Sequence, residues 1–111
     1  MRDNRGVYIP LGLVYQRELI ADFERAKAKL GPEVAHVVYR IREDWTGDPS
    51  IFFRITLFDW ATAESTLMGV TGNIRSILFD EIRPVENWGL IPYFNYRSVS
   101  EQQKWPDPDW V

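Results

Sequence analysis

The sequence contains no cysteine and a single histidine, His36. Without cysteine the chain can form neither a disulfide nor a thiolate zinc site, and it lacks a cysteine nucleophile. Its formal net charge of -3 at pH 7 gives no general attraction for phosphate backbones. No apolar run is long enough for a signal peptide or a membrane span. We therefore expect a soluble, cytoplasmic protein that needs no cofactor.

The length and composition of the chain indicate one small globular domain. It has 111 residues, of which 45% are hydrophobic and 26% are charged. We predict a single domain over 1–111, with a flexible N-terminal segment at 1–8 and an aromatic, acidic tail at 100–111. A domain of this size leaves a large fraction of its surface exposed to solvent, which favours the formation of a dimer or a complex.

The polar run at 43–49 lies between two segments that alternate apolar and polar residues, which indicates a β-hairpin. Gly47 can adopt a positive φ, Asp side chains can bond the turn backbone, and Pro49 fixes φ where the return strand begins. The residues predicted to share the inner face of the hairpin are Val37, Tyr39, Ile41, Ile51, Phe53, Ile55 and Leu57.

Helical spacing of apolar residues predicts a first helix over 13–30, which a left-handed Gly31 and Pro32 end. A second helical region follows over 60–82, with the Asp59 carboxylate bonding the N–H groups at its start. A third strand is predicted over 90–97. The order helix, strand, strand, helical region, strand predicts an α+β sandwich in which a mostly antiparallel three-stranded sheet carries helices on one face.

The sequence contains no complete catalytic or metal-binding constellation. No serine and carboxylate can be placed beside His36, so we interpret it as a sheet-surface histidine rather than a general base. Hairpin acids such as Asp44 and Asp48 more often bond the turn backbone than a metal ion. No spacing matches an EF-hand, a HExxH pair or a phosphate loop. We predict no catalytic residue, no metal site and no enzymatic activity.

The second face of the predicted sheet carries arginines and aromatic residues beside His36. Such side chains stack on bases or form protein interfaces, and the acidic charge of the chain favours protein. The two tail tryptophans either fold back on the domain or anchor a partner that is itself basic. The predicted partner-binding residues are Arg40, Arg42, Phe52, Arg54, Phe58, Trp105 and Trp110.

The run at 68–77 is similar to the apolar-GxxG-x-x-I-x-x-I core of KH domains, and the order of elements fits KH domains of the second type. This resemblance implies binding of single-stranded RNA, with the glycines approaching its backbone. Val70 and Thr71 stand where a basic residue would help, so phosphate attraction would be weak. The alternative is a helix packed on the sheet, with a break or a close backbone contact at the glycines. The candidate RNA-binding residues are Gly69, Val70, Thr71, Gly72 and Arg75.

The runs EDWTGDPSIFF at 43–53 and WGLIPYFNYRS at 88–98 resemble a small, uncharacterised bacterial α+β family. The resemblance implies a bacterial, intracellular protein and transfers no functional residue. We predict a noncatalytic interaction or regulatory module, an accessory or antitoxin-like protein that binds another protein or forms a homodimer. The alternative is a KH-like domain that binds single-stranded RNA.

Overall fold

The computed structural model describes residues 15–111. The predicted flexible segment at 1–8 and the predicted start of the first helix lie outside this range. The elements in chain order are α1 (Gln16–Lys27), β1 (Val34–Glu43), β2 (Pro49–Leu57), a 3-10 turn (Asp59–Thr62), α2 (Glu64–Ile82), α3 (Pro84–Trp88), β3 (Ile91–Ser98), α4 (Val99–Lys104) and a second 3-10 turn (Pro108–Trp110).

The three described strands form one mixed sheet in the order β1-β2-β3. Strands β1 and β2 are antiparallel neighbours, whereas β3 runs parallel to β2. Parallel neighbours need a long crossover, and α2 with α3 supplies it by returning the chain along the sheet. The predicted α+β class and the predicted order of elements are confirmed.

The register of the hairpin assigns side chains to the two faces of the sheet. Val38 lies opposite Arg54, and Arg40 lies opposite Phe52. Because opposed residues share a face, the arginines of both strands lie on the side away from the core. All seven residues predicted for the inner face are buried in the hydrophobic core or packed against it, which confirms that part of the prediction.

Helices α1 and α2 cover the inner face of the sheet. Leu19 and Phe23 of α1 are buried there, together with Ile74 and Leu78 of α2. The Phe23 ring meets the Tyr39 ring edge to face at 4.8 Å between centroids. These apolar contacts make one contiguous core of the two helices and the sheet.

Two predictions about helix ends are wrong. Helix α1 ends at Lys27, a turn follows, and Gly31 does not have a positive φ. The Asp59 carboxylate does not cap the helical segments that follow it in sequence. It accepts instead from the backbone N–H of Ser100, at 3.1 Å, and from the Ser100 hydroxyl. Asp59 therefore accepts a hydrogen bond from a backbone N–H group in the first turn of α4, a helix far from it in sequence.

The predicted aromatic, acidic tail contains regular structure, namely α4 and the second 3-10 turn. Helix α4 begins with a capping box in which the Ser98 hydroxyl accepts from the Glu101 N–H at 3.0 Å. The tail then folds back on the outer face of the sheet, where the Trp110 side chain is 9% exposed. Of the two alternatives for the tail tryptophans, folding back is therefore correct for Trp110, whereas Trp105 stays 58% exposed.

Gly69 and Gly72 lie inside the continuous helix α2, as the packed-helix interpretation of this run predicts. The expected break or close backbone contact is absent from this helix, since a Cβ on either glycine would meet no atom within 4 Å. A glycine inside a helix costs about 1 kcal/mol relative to alanine. Both glycines therefore weaken the helix, and within residues 15–111 neither position is packed so closely that it requires glycine.

Replacing each helical glycine by alanine should stabilise the fold. Gly69→Ala and Gly72→Ala should each raise the free energy of unfolding by about 0.5–1 kcal/mol, because alanine restricts the unfolded chain and fits the helix. Urea denaturation followed by circular dichroism measures this change. Gly47, with φ +86°, is the contrasting position, and Gly47→Ala should destabilise the fold. A destabilising Gly69→Ala would contradict the open space at that position.

Removing the Trp110 side chain should expose the sheet beneath it. Trp110→Ala should lower the free energy of unfolding by about 3 kcal/mol, as large-to-small changes at buried aromatic positions do. Trp105→Ala should change it by less than about 0.5 kcal/mol, because that ring is mainly in solvent. Equal effects of the two substitutions in urea denaturation would show that the tail does not pack as described.

Candidate protein-interaction surface

The hairpin turn is held by the side chain of Asp44. One carboxylate oxygen accepts from the N–H groups of Thr46 and Asp48, at 2.9 and 3.0 Å, and from the Thr46 hydroxyl at 2.6 Å. The other oxygen accepts from the Tyr93 hydroxyl at 2.7 Å. These bonds, first that from the Thr46 hydroxyl and then that from Tyr93, hold the pKa of Asp44 well below its usual range. The turn therefore has a defined shape, and the bond from Tyr93 fixes it to β3.

Trp45 lies at the tip of this turn. Its side chain is 90% exposed, more than any other large hydrophobic residue in the described part of the chain. Its neighbours on both sides take part in the hydrogen bonds of the turn, so the backbone that carries the indole is fixed. The turn thus presents a large apolar group to solvent on an ordered support.

Next to the turn, the outer face of the sheet carries a pair of stacked aromatic rings. Phe52 and Tyr93 stack with their centroids 4.9 Å apart and their planes at 11°. The Arg54 guanidinium lies 5.4 Å from the centre of the Phe52 ring, within cation–π range. Arg40, opposite Phe52 on β1, donates to the Tyr39 carbonyl oxygen at 3.0 Å. Arginine side chains therefore lie next to the stacked aromatic rings on this half of the face.

The other half of the outer face is covered by the tail. The Trp110 indole lies 5.7 Å from the Arg54 guanidinium and 5.3 Å from that of Arg97. Arg54 also donates to the Asn95 amide oxygen at 2.9 Å. Asp109 forms an ion pair with Arg42 at 3.6 Å. These contacts already engage three of the predicted partner-binding residues within the domain: Arg42, Arg54 and Trp110.

The structure brings some of the predicted site residues together and separates others. Arg40, Arg42, Phe52 and Arg54 share the outer face of the sheet, as predicted. Phe58 lies just beyond the end of β2, where its ring stacks on Trp60 at 6.5 Å, and Trp105 lies beneath the Lys104 ammonium. We call the residues near the turn the hairpin face; they are Arg40, Arg42, Trp45, Phe52 and Tyr93.

Sequence reasoning missed Trp45 and Tyr93 as site residues. A tryptophan inside a polar turn was the available signal for Trp45, because such a ring has no neighbouring apolar residues to cover it. Tyr93 could not be found in this way, since its place beside Phe52 depends on the register of a parallel strand. Local patterns along one strand do not determine that register.

His36 lies exposed on the outer face, as predicted. Within residues 15–111 no three side chains among His, Cys, Asp and Glu are grouped so that they could hold a metal ion. No helix in that range has the length and apolar character needed to span a membrane.

A second feature is a groove between α2 and β3, with a volume of about 460 Å³. Thr71, Gly72 and Arg75, three of the candidate RNA-binding residues, line it, and the Arg75 guanidinium lies 5.6 Å from the centre of the Phe94 ring. Val70 instead packs against the core. These residues belong to a helix rather than a loop. The KH-like RNA-binding alternative stays a prediction.

Comparison with protein-family models, with curated proteins and with solved structures finds no match for this chain. The resemblance to a bacterial family stays a prediction as well.

The hydrogen bonds to Asp44 should make hairpin stability depend on pH. A carboxylate with a lowered folded-state pKa stabilises the fold above its unfolded pKa of about 3.9, and this contribution is lost as the pH falls towards the folded value. Asp44→Asn should therefore lower the urea midpoint at pH 7, and its difference from the unmodified chain should shrink towards about pH 3.

The matched control for this experiment is Asp48→Asn. The Asp48 carboxylate accepts the Thr46 hydroxyl at 2.9 Å but does not receive the bond from Tyr93 that ties the turn to β3. We expect a smaller change in the midpoint at pH 7. A difference between Asp44→Asn and the unmodified chain that stays constant from pH 7 to about pH 3 would contradict the assigned role of the carboxylate.

Proposed function

We propose that this chain is a noncatalytic protein-interaction module that binds another protein through its hairpin face. The single observation that carries the proposal is the display of Trp45, 90% exposed, on a turn fixed by the hydrogen bonds of Asp44. Tryptophan is among the residues that contribute most to binding energy at protein interfaces. An isolated exposed indole is otherwise unfavourable in water.

The exposure of the Trp45 side chain supports a role for this residue in binding rather than in stabilising the fold. A residue that packs on its own domain is buried, as Trp110 is, whereas Trp45 has little contact with the rest of the described chain. Ordering a flexible loop on association costs free energy, and a turn that is already ordered avoids much of that cost. The hairpin therefore presents Trp45 in a form suited to insertion into an apolar pocket of a partner.

The rest of the hairpin face supplies polar and planar contacts next to Trp45. Arginine and aromatic side chains are enriched at protein interfaces. Arg40 has no ion-pair partner within residues 15–111, and the stacked Phe52 and Tyr93 rings are partly exposed. A carboxylate on the partner could pair with Arg40 while an apolar side chain covers the rings.

This geometry favours a partner with an apolar pocket and acidic groups over the basic partner that the tail composition indicates. A basic partner would require an accessible acidic tail. Asp109, however, is paired with Arg42, and the Trp110 ring lies 5.7 and 5.3 Å from the Arg54 and Arg97 guanidinium groups. The acidic charge of the tail is thus used in part within the domain.

Affinity purification from a lysate of the source cells, with the whole chain as bait, tests this proposal. The unmodified chain and Trp105→Ala should recover the same partner, identified by mass spectrometry. Trp45→Ala should weaken its binding by about 2 kcal/mol or more, roughly thirtyfold in Kd, as the loss of an interface hot spot does. Arg40→Glu should also weaken it. Circular dichroism checks that each variant remains folded.

Light scattering on the purified chain measures its mass in solution and so shows whether the partner is a second copy of the same chain. A dimer that Trp45→Ala dissociates would support the hairpin face as the interface of a homodimer. The same set of recovered proteins with the unmodified chain and with Trp45→Ala, together with an unchanged mass in solution, would contradict the proposal.

A further inference from the structure

The groove between α2 and β3 follows the edge of the sheet, and we call it the edge groove. Met68, Gly72 and Arg75 of α2 line one side, and Phe94 and Tyr96 of β3 line the other. Its volume of about 460 Å³ lies in the range of known ligand sites. The edge groove is separate from the hairpin face except for Tyr93, which borders both.

Strand β3 is the last strand of the described sheet. Within residues 15–111 its hydrogen-bonded neighbour is β2, and no strand pairs with its other side. Apart from Pro92, which has no backbone N–H, such an edge directs backbone N–H and C=O groups outwards, where an extended peptide can pair with them. The first requirement for binding a strand is therefore met along one wall of the edge groove.

The helical wall leaves space for the side chains of an added strand. A Cβ at Gly72 would meet no atom within 4 Å, so the helix backbone itself forms that part of the wall. Met68 beside it is 86% exposed, and its flexible thioether chain can adapt to side chains of different shape. Alternate residues of a strand paired with β3 would point towards this wall.

The positive charge of Arg75 in the edge groove favours a bound strand that carries an acidic residue. The Arg75 guanidinium lies over the Phe94 ring at 5.6 Å, and no carboxylate within residues 15–111 forms an ion pair with it. The Tyr96 hydroxyl already donates to the Thr71 carbonyl oxygen at 3.1 Å. Arg75 is thus the charged group at this wall, and a carboxylate is its natural complement.

We propose that the edge groove binds an extended, acidic segment of a partner protein, which pairs with β3 and sets a carboxylate against Arg75. Small or apolar side chains of the segment lie over Gly72 and against Met68. This site uses a different surface from the hairpin face, so it does not depend on the function proposed above. Main-chain pairing supplies affinity, and Arg75 with the space at Gly72 supplies specificity.

A random heptapeptide library displayed on phage, selected on the full chain and counter-selected on Gly72→Leu, tests this inference. The selected peptides should carry an acidic residue flanked by residues that favour β-strands. Binding of a synthetic selected peptide, measured by fluorescence anisotropy, should weaken about tenfold in Gly72→Leu and in Arg75→Glu. In the ¹⁵N-labelled chain, the peptide should shift the amide signals of residues 93–98.

Gly69→Leu is the matched control, because Gly69 is an equally open position on the same helix but does not line the edge groove. This variant should bind the peptide within about twofold of the unmodified chain. A library that enriches no acidic family, equal binding by Gly72→Leu and Gly69→Leu, or amide shifts at the hairpin face in place of β3 would each overturn the inference. Trp45→Ala should leave peptide binding unchanged, which separates this result from a test of the hairpin face.

Discussion

The register of the β1–β2 hairpin determines which side chains reach each face of the sheet. Successive residues of a strand point to opposite sides, so a slip by one residue would exchange the buried apolar set with the arginines of the outer face. The turn around Gly47 sets this register, and the bonds to Asp44 hold the turn. The Tyr93 hydroxyl extends the same constraint to the third strand. The core and the hairpin face therefore depend on one small network of hydrogen bonds.

The sequence alone was sufficient to predict those secondary-structure elements that are determined by neighbouring residues. Period-two alternation identifies β1 and β2, and the turn residues between them identify the hairpin, because both patterns arise from the geometry of neighbouring residues. Contacts between distant segments were not predictable in this way. Asp59 bonds Ser100 rather than the helical segment next to it, and Trp110 packs on Arg54 and Arg97. In each case the side chain could make similar contacts with more than one partner, and the tertiary packing determines which partner it contacts.

The tail changes the interpretation of the outer face. The sequence places five candidate partner-binding residues near that face, but the chain covers half of it with its own C-terminal segment. The covering segment complements the face in charge, with Asp109 paired with Arg42 and the Trp110 indole within cation–π range of Arg54 and Arg97. Such contacts remove an apolar ring from water, which is why we expect Trp110, and not the exposed Trp105, to stabilise the domain. What remains accessible is the part of the face next to the turn.

Tyr93 connects the two surfaces proposed to bind partners. Its ring stacks on Phe52 in the hairpin face, it borders the edge groove, and its hydroxyl holds the turn that carries Trp45. A strand bound at β3 would affect affinity at the hairpin face if it strengthened or weakened the bond between Tyr93 and Asp44. By thermodynamic linkage, a partner bound at the hairpin face would then change the affinity of the edge groove for its strand by the same factor. If strand binding leaves the bond between Tyr93 and Asp44 unchanged, Tyr93 does not couple the two surfaces, and each surface binds its partner independently of the other.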